Sequence, residues 1–276
     1  MTVFDKLLNL DRRWVFLCLF LAVLIPFLTG LRLRQGTPSP ATTRVYEHLE
    51  RLPPGSPVML VFDYGPAAIP ELRPMALAII RQCFRRGLRV ITLALDPQGP
   101  MMAEEALTRV AGESGARYGR DYVNLGYKPG DLAVILGMGS SIAQVFNQDM
   151  RGTPLSMLPV MKQVRDYRDV GLLIDLAQGD TPGAWIAYAR ERFRVPLAIG
   201  VTAVMATDFY PYYQTGQLVG LINGMRGAAD YENLIGHQDL GVLGMSSQSI
   251  AHLVVIAFVI LGNIGFFAAR RRRRAG

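Results

Sequence analysis

The run PVMLVF, from Pro57 to Phe62, contains no charged residue and predicts a β-strand that is buried on both faces. A helical pattern follows from Ile69 to Arg86, and Gly87 stands where a C-terminal cap would. A second apolar run, LRVITLAL from Leu88 to Leu95, comes next. Continuous apolar strands that alternate with helices are typical of a parallel sheet with helices on both faces. We therefore predict a Rossmann-like or flavodoxin-like α/β domain with a mostly parallel sheet.

The same alternation continues along the chain and sets the predicted domain at residues 57–246. Residues 32–56 before it are predicted to form a linker and a short helix. Further strands are predicted at Tyr122 to Tyr127 (at an edge), Asp131 to Leu136, Val170 to Ala177 and Pro196 to Val204. Further helices are predicted at Met101 to Gly112, Ser140 to about Phe146 and Gly183 to Phe193.

Two uncharged apolar segments flank this domain. The first, residues 14–31, reads WVFLCLFLAVLIPFLTGL, and eighteen helical residues span ~27 Å, about one hydrocarbon core. A cleaved signal peptide is the alternative, but its apolar region usually runs ~7–15 residues and an A-x-A-like cleavage site is missing. The second predicted span, residues 247–269, contains IAHLVVIAFVILGNIGFFAA and is followed by Arg270 to Arg274. We predict an integral membrane protein whose first partner is the lipid bilayer.

The basic residues predict the orientation of these two spans. The flank 1–13 and the tail 270–276 are both basic, and the positive-inside rule places both in the cytoplasm. The domain is then predicted to be extracytoplasmic, although Arg32 and Arg34 oppose this assignment. Residues 37–269 hold 19 basic and 20 acidic residues, so the domain itself is nearly neutral. A nucleic-acid partner is therefore not predicted, because its basic footprint belongs on the folded domain.

Polar residues follow the predicted strands, at the edge where α/β sheets bind ligands. Ordinary turn and helix-cap chemistry is the alternative, because Asp, Thr and Gly also start helices. Convergence of the aspartates on a hard cation is a further alternative, although we predict no metal. The candidate ligand-binding residues in these loops are Asp63, Asp96, Asp180, Thr181 and Asp208.

The loop GMGSS is the sharpest candidate among these strand ends. It is predicted to follow a strand and open a helix, so that Gly137, Gly139, Ser140 and Ser141 would hold an anion with backbone N–H groups and hydroxyls. The third glycine of G-x-G-x-x-G is missing, because position 142 is Ile142. A phosphate-binding loop of the G-x-x-x-x-G-K-[ST] type, a G-x-S-x-G elbow, CxxC and HExxH do not occur either. We predict no cofactor and assign no catalytic residues.

A run of glycines follows the last predicted strand. We predict a helix from Gln214 to Met225, in which Gly216, Gly220 and Gly224 share one face. Each glycine costs roughly 1 kcal/mol relative to alanine in a helix, so close packing should compensate. The packing partner is the domain's own sheet, another copy of the chain, or the bilayer surface.

Two functions fit these features. The first is a non-catalytic accessory or assembly subunit of a membrane complex, acting as a homo-oligomer or with other membrane proteins. The second is a membrane-anchored enzyme or ligand-binding domain that takes an anionic or hydroxylated small molecule at the carboxyl ends of the strands. A polar cleft at that edge would favour the second function, and an exposed apolar face near Tyr210 to Ile222 would favour the first.

Overall fold

A computed structural model describes residues 11–33 and 36–275, with the side chains of residues 269 and 271–275 left out of the description. The N-terminal residues before Asp11, Arg34 and the tail side chains beyond Arg270 therefore lie outside the described parts. The chain divides into two compact units. One unit comprises residues 35–241, and the other comprises the residues before and after that range.

The larger unit is an α/β domain. Its strands are β1 (Pro57–Asp63), β2 (Arg89–Ala94), β3 (Tyr122–Tyr127), β4 (Leu172–Ala177), β5 (Leu197–Val201) and β6 (Gly220–Asn223). Its helices are α2 (Pro40–Arg51), α3 (Ile69–Arg85), α4 (Gly99–Ser114), α5 (Asp131–Met138), α6 (Ile142–Val145), α7 (Thr181–Ala184), α8 (Glu191–Phe193), α9 (Ala206–Gln214) and α10 (Gly224–Leu234). A π-helix (Trp185–Arg190) joins α7 to α8 without a break. Short 3₁₀ turns lie at Pro66–Ala68, Leu155–Met157, Pro159–Met161 and Tyr167–Asp169.

The six strands form one parallel sheet in the order β3-β2-β1-β4-β5-β6. The chain order therefore reverses between β1 and β4, in the middle of the sheet. Alternate residues of each strand enter separate apolar cores on the two faces. Leu60 and Phe62 pack on one face, while Met59 and Val61 pack on the other. This confirms the predicted parallel α/β domain, and β3 lies at a sheet edge as predicted.

The predicted strand at Asp131 to Leu136 is wrong, because these residues form the start of helix α5. Gly130, at a φ of 91°, ends the preceding turn and starts the helix. Leu132 is exposed, whereas Val134 and Ile135 are buried, so the run buries one helical face. A short apolar run does not distinguish a buried strand from a buried helix by its periodicity.

The predicted helix from Gln214 to Met225 is also wrong. Gly216 adopts a φ of 78° just after α9, and the chain then extends into β6, which pairs with β5. A Cβ on Gly220 would lie against the carbonyl of Ala41 and 2.5 Å from Val45 Cγ2, so α2 approaches the backbone here very closely. Gly224, at a φ of 53°, then starts α10. The close packing predicted at Gly220 is present, but it joins a strand to a helix of the same domain.

The smaller unit contains two long apolar helices, α1 (Arg12–Thr29) and α11 (Leu240–Ala275). Each is long and apolar enough to cross a membrane, and most side chains in their apolar windows are exposed. Pro26 lies near the end of α1, and Gly30 caps it at a φ of 65°. The Asn263 side chain donates to the carbonyl of Val259, so this polar group is satisfied within its own helix.

Candidate functional site

Two aspartates share one face of the sheet at its centre, where the strand order reverses. Asp175 of β4 is the register partner of Val61, and Asp63 of β1 is the partner of Ala177. Since Val61 and Asp63 are two residues apart, both acids point to the same face. The exposed fraction is 3% for Asp63 and 0% for Asp175. The sheet therefore holds two carboxyl groups on adjacent strands inside the protein.

Only one of the two carboxyl oxygens of Asp63 accepts hydrogen bonds, and they come from the loop after β2. The backbone N–H groups of Leu95 and Asp96 donate to Asp63 Oδ1 at 2.7 Å and 3.3 Å. The second oxygen, Oδ2, is buried and has no hydrogen-bond partner. One oxygen thus fixes the side chain at the strand end, and the other is free to accept.

Two further polar side chains face this pair from the segment after β4. Thr181 begins α7 and Trp185 follows four residues later, so both side chains lie on one helical face. Both lie close enough to Asp63 to lower its pKa, but neither reaches hydrogen-bond geometry. Both oxygens of Asp175, Thr181 Oγ1 and Trp185 Nε1 are buried without a partner. Together with Asp63 Oδ2 they form a cluster of five unpartnered polar atoms, which we call the switch-point cluster.

Burial controls the protonation of the two acids. Loss of solvation raises the pKa of Asp63 to about 6, against the opposing effect of the Leu95 and Asp96 N–H groups. Burial raises the pKa of Asp175 well above its usual range, and the negative charge of Asp63 raises it further. Both acids therefore resist ionisation, and two adjacent negative charges are disfavoured at this point of the sheet. A pair of buried carboxyl groups that disfavours a second negative charge is an arrangement suited to holding a shared proton.

Only two of the residues predicted from the strand-end loops belong to this cluster, namely Asp63 and Thr181. The Asp96 carboxylate accepts a hydrogen bond from the backbone N–H of Gln98 at 2.7 Å and so stabilises the turn that contains it. Asp180 and Asp208 are exposed. No group of three His, Cys, Asp or Glu side chains suited to a metal ion occurs among the described residues.

The GMGSS loop does not follow a strand, because it lies at the end of helix α5. A Cβ on Gly137 would meet Val145, and one on Gly139 would clash with the ring of Phe193, so both glycines serve local packing. Ser140 lies in the tight turn between α5 and α6, where its N–H donates to the carbonyl of Gly137. Ser141 caps the four-residue helix α6 by accepting the N–H of Gln144 at 3.3 Å. Each residue of this loop therefore has a local structural role, and the predicted strand before the loop is wrong.

Asp175 and Trp185 were missed by reasoning from the strand ends. A single acid inside the apolar run VGLLIDLA is the signal that identifies Asp175, because a buried acid needs a specific reason. Nothing in the sequence marks Trp185 as a site residue, because a tryptophan in a helix is commonly a buried core residue.

The domain also has open clefts at other places, and two of them lie at the ends of strands. One, of about 360 Å³, lies at the carboxyl end of β3, between residues 125–128 and 146–150. The larger, of about 690 Å³, lies at the opposite edge, at the amino ends of β1 and β2.

Comparison with known proteins adds little to this description. No family model matches the chain, and no curated protein matches it. A trehalose-6-phosphate synthase, OtsA, is similar at 10% sequence identity and a TM-score of 0.32. The alignment covers 86% of this chain and 46% of that one, so this chain spans less than half of its length. A likeness at that score supports no statement about the fold or the function of this chain.

Proposed function

We propose that this chain is a membrane-anchored binding domain that takes a small hydroxylated or amine-bearing molecule at the carboxyl ends of β1 and β4. The observation that carries the proposal is the switch-point cluster. A buried polar group without a partner costs about 1–3 kcal/mol, and three carboxyl oxygens of this cluster, Asp63 Oδ2 and both oxygens of Asp175, lack a partner at hydrogen-bond distance. A ligand that donates hydrogen bonds to them would offset that cost.

The position of the cluster also supports the proposal. In open α/β sheets, ligands bind outside the carboxyl ends of the strands at the point where the strand order reverses. The order found here is the Rossmann-type order, and its reversal lies between the strands that carry Asp63 and Asp175. A Rossmann-like assignment is therefore preferred to a flavodoxin-like one.

The chemistry of the cluster indicates the class of ligand. Three of the five atoms are carboxyl oxygens, and the only other members are one hydroxyl and one indole N–H. A hydroxyl or ammonium group can donate to these oxygens, whereas an anion would meet the charge of Asp63. Of the two ligand types predicted from the sequence, we therefore keep the hydroxylated molecule for this edge of the sheet and drop the anionic one.

The two apolar helices support the anchoring part of the proposal. We propose that α1 and α11 both cross the bilayer, with both ends of the chain in the cytoplasm and the domain outside. Alkaline phosphatase fused after Gly236 should then be active. An inactive phosphatase with an active cytoplasmic reporter at the same site would reverse this orientation.

An accessory or assembly subunit remains the second candidate. The exposed apolar surfaces of α1 and α11 support it, because membrane partners or a second copy could cover them as lipid does. The predicted apolar face between Tyr210 and Ile222 gives it no support, since Leu218, Leu221 and Ile222 are buried in the domain. Native extraction in mild detergent should recover a stoichiometric partner protein if this role is the correct one.

Thermal unfolding of the full chain in mild detergent tests the binding proposal. The probes are sorbitol, myo-inositol and spermidine at neutral pH. Because polyols stabilise folded proteins in general, the informative quantity is the stabilisation lost on Asp63→Asn or Asp175→Asn. The matched control Asp180→Asn changes an exposed acid next to Thr181, and it should keep the full stabilisation. If no probe shows a shift that depends on Asp63 and Asp175, the proposed ligand class is wrong.

A further inference from the structure

The larger cleft lies at the amino ends of the strands, at the edge opposite the switch-point cluster. Its walls include the turn before β1 and the first residue of β2, Arg89. The remaining wall is formed by residues of the segment 162–169, which precedes β4. The cleft has a volume of about 690 Å³, within the range of about 300–1,000 Å³ that small-molecule sites occupy. It is therefore large enough for an organic ligand and not only for a single ion.

The cleft is basic although the domain is nearly neutral. Arg89, Lys162 and Arg165 line it, and Asp169 is the single acid among its lining residues. Asp169 is already engaged, because it accepts the backbone N–H of Arg165 at 2.8 Å and faces the guanidinium of Arg165 at 3.6 Å. Within the described chain, Arg89 and Lys162 have no ion-pair partner for their side chains. Two uncompensated cations thus face the same cleft.

Neutral donors complete the lining. Ser56 supplies a hydroxyl and Gln163 supplies a side-chain amide beside the two cations. Gly55 adopts a φ of 85°, and an added Cβ there would lie 3.7 Å from Arg89 Nη2. The positive φ explains the glycine, and the 3.7 Å separation places this turn beside the Arg89 guanidinium. Arginine and lysine with hydroxyl and amide donors are the groups that bind phosphate oxygens.

We propose that this cleft binds a phosphate-bearing anion, with its phosphate on Arg89 and Lys162. The phosphate comes from a soluble phosphorylated molecule or from a lipid headgroup, and the chemistry of recognition is the same for both. This site is independent of the proposed function, because it shares no residue with the switch-point cluster.

Inorganic pyrophosphate is the probe, titrated into the full chain in phosphatidylcholine nanodiscs. The double variant Arg89→Gln and Lys162→Gln should weaken binding at least about tenfold, because it removes both cations that would contact the phosphate. The matched control Lys128→Gln removes a lysine at the opposite edge, beside the smaller cleft, and should bind as the wild type does. Raising the salt concentration should weaken binding in the wild type more than in the double variant.

Nanodiscs that contain phosphatidylglycerol distinguish the two sources of phosphate. If the headgroup occupies the cleft, this lipid should compete and lower the affinity for pyrophosphate in the wild type. A soluble ligand predicts the same affinity in both lipids. The proposal is overturned if the wild type does not bind pyrophosphate, or if the double variant, folded by its circular dichroism spectrum, binds it equally well. Asp63→Asn should leave this binding unchanged, so failure here and failure of the proposed function remain distinguishable.

Discussion

Replacing Asp63 with asparagine should remove a contribution that lowers the free energy of unfolding as the pH rises from about 4 to about 6. Burial raises the pKa of Asp63 from 3.8 to about 6 in the folded protein. The folded state therefore binds this proton more tightly than the unfolded chain does. The resulting stabilisation is complete below about pH 4 and is lost as the pH rises through about 6. Asparagine does not titrate, and its oxygen can still accept the N–H of Leu95.

The expected magnitude follows from the two pKa values. Each unit of difference corresponds to 1.36 kcal/mol, so Asp63 contributes about 3 kcal/mol across this range. Solvent screening does not reduce this figure much, because the side chain is buried. Acids whose pKa is lowered by arginine partners, such as Glu105 and Asp166, act in the opposite direction. Only the difference between wild type and variant therefore isolates the effect of Asp63.

The assay is urea unfolding of the full chain in mild detergent, followed by tryptophan fluorescence. The chain has two tryptophans, so a Trp14→Phe background leaves Trp185, beside Asp63, as the reporter. The stability of Asp63→Asn relative to its parent should rise by about 3 kcal/mol between about pH 4 and pH 7. Asp180→Asn, which changes an exposed acid, should show no such trend. A difference for Asp63→Asn that stays constant with pH would refute the burial argument.

Two further predictions concern packing and charge in the same domain. Gly220→Leu should lower the free energy of unfolding by at least the ~1–3 kcal/mol typical of overpacking, because a side chain there would clash with the carbonyl of Ala41. The melting temperature should fall accordingly, and the size of the particle should not change. The control Gly179→Ala should change the melting temperature little, because an added Cβ there meets nothing within 4 Å. Equal effects of the two substitutions would contradict the close approach of α2 to the backbone at Gly220. Asp239→Asn should destabilise the domain in urea by about 1–3 kcal/mol, because it leaves the mostly buried Arg81, 2.8 Å away, with one carboxylate partner fewer. An unchanged urea midpoint would show that this ion pair contributes nothing.

The sequence predicted the strands whose signal is strongest. PVMLVF, LRVITLAL and VGLLIDLA are rich in β-branched or aliphatic residues, and all three form central parallel strands. DLAVIL has the same apolar character but forms a helix that starts after Gly130, because a short apolar run fits either element. Residues 214–225 were predicted to form a helix but contain a turn and strand β6. The regular glycine spacing arises there from turns at positive φ and from a close approach of two backbones.

The candidate site was predicted in part for a similar reason. Asp63 and Thr181 stand at strand ends and could be selected by position alone. Asp175 lies inside a strand, and its relation to Asp63 depends on β4 pairing with β1, a long-range contact that local patterns do not contain. GMGSS matched a binding pattern locally, but the element before it is a helix rather than a strand.

Native mass spectrometry of the full chain, released from mild detergent, tests the central claim most directly. The account predicts a wild-type species that carries one bound small molecule with hydroxyl or amine groups. It also predicts loss of that species in Asp175→Asn, which removes an acid from the switch-point cluster, and its retention in Asp180→Asn, which does not. Equal occupancy in wild type and Asp175→Asn, or a wild type that carries no small molecule, would contradict the claim that this cluster is a ligand site.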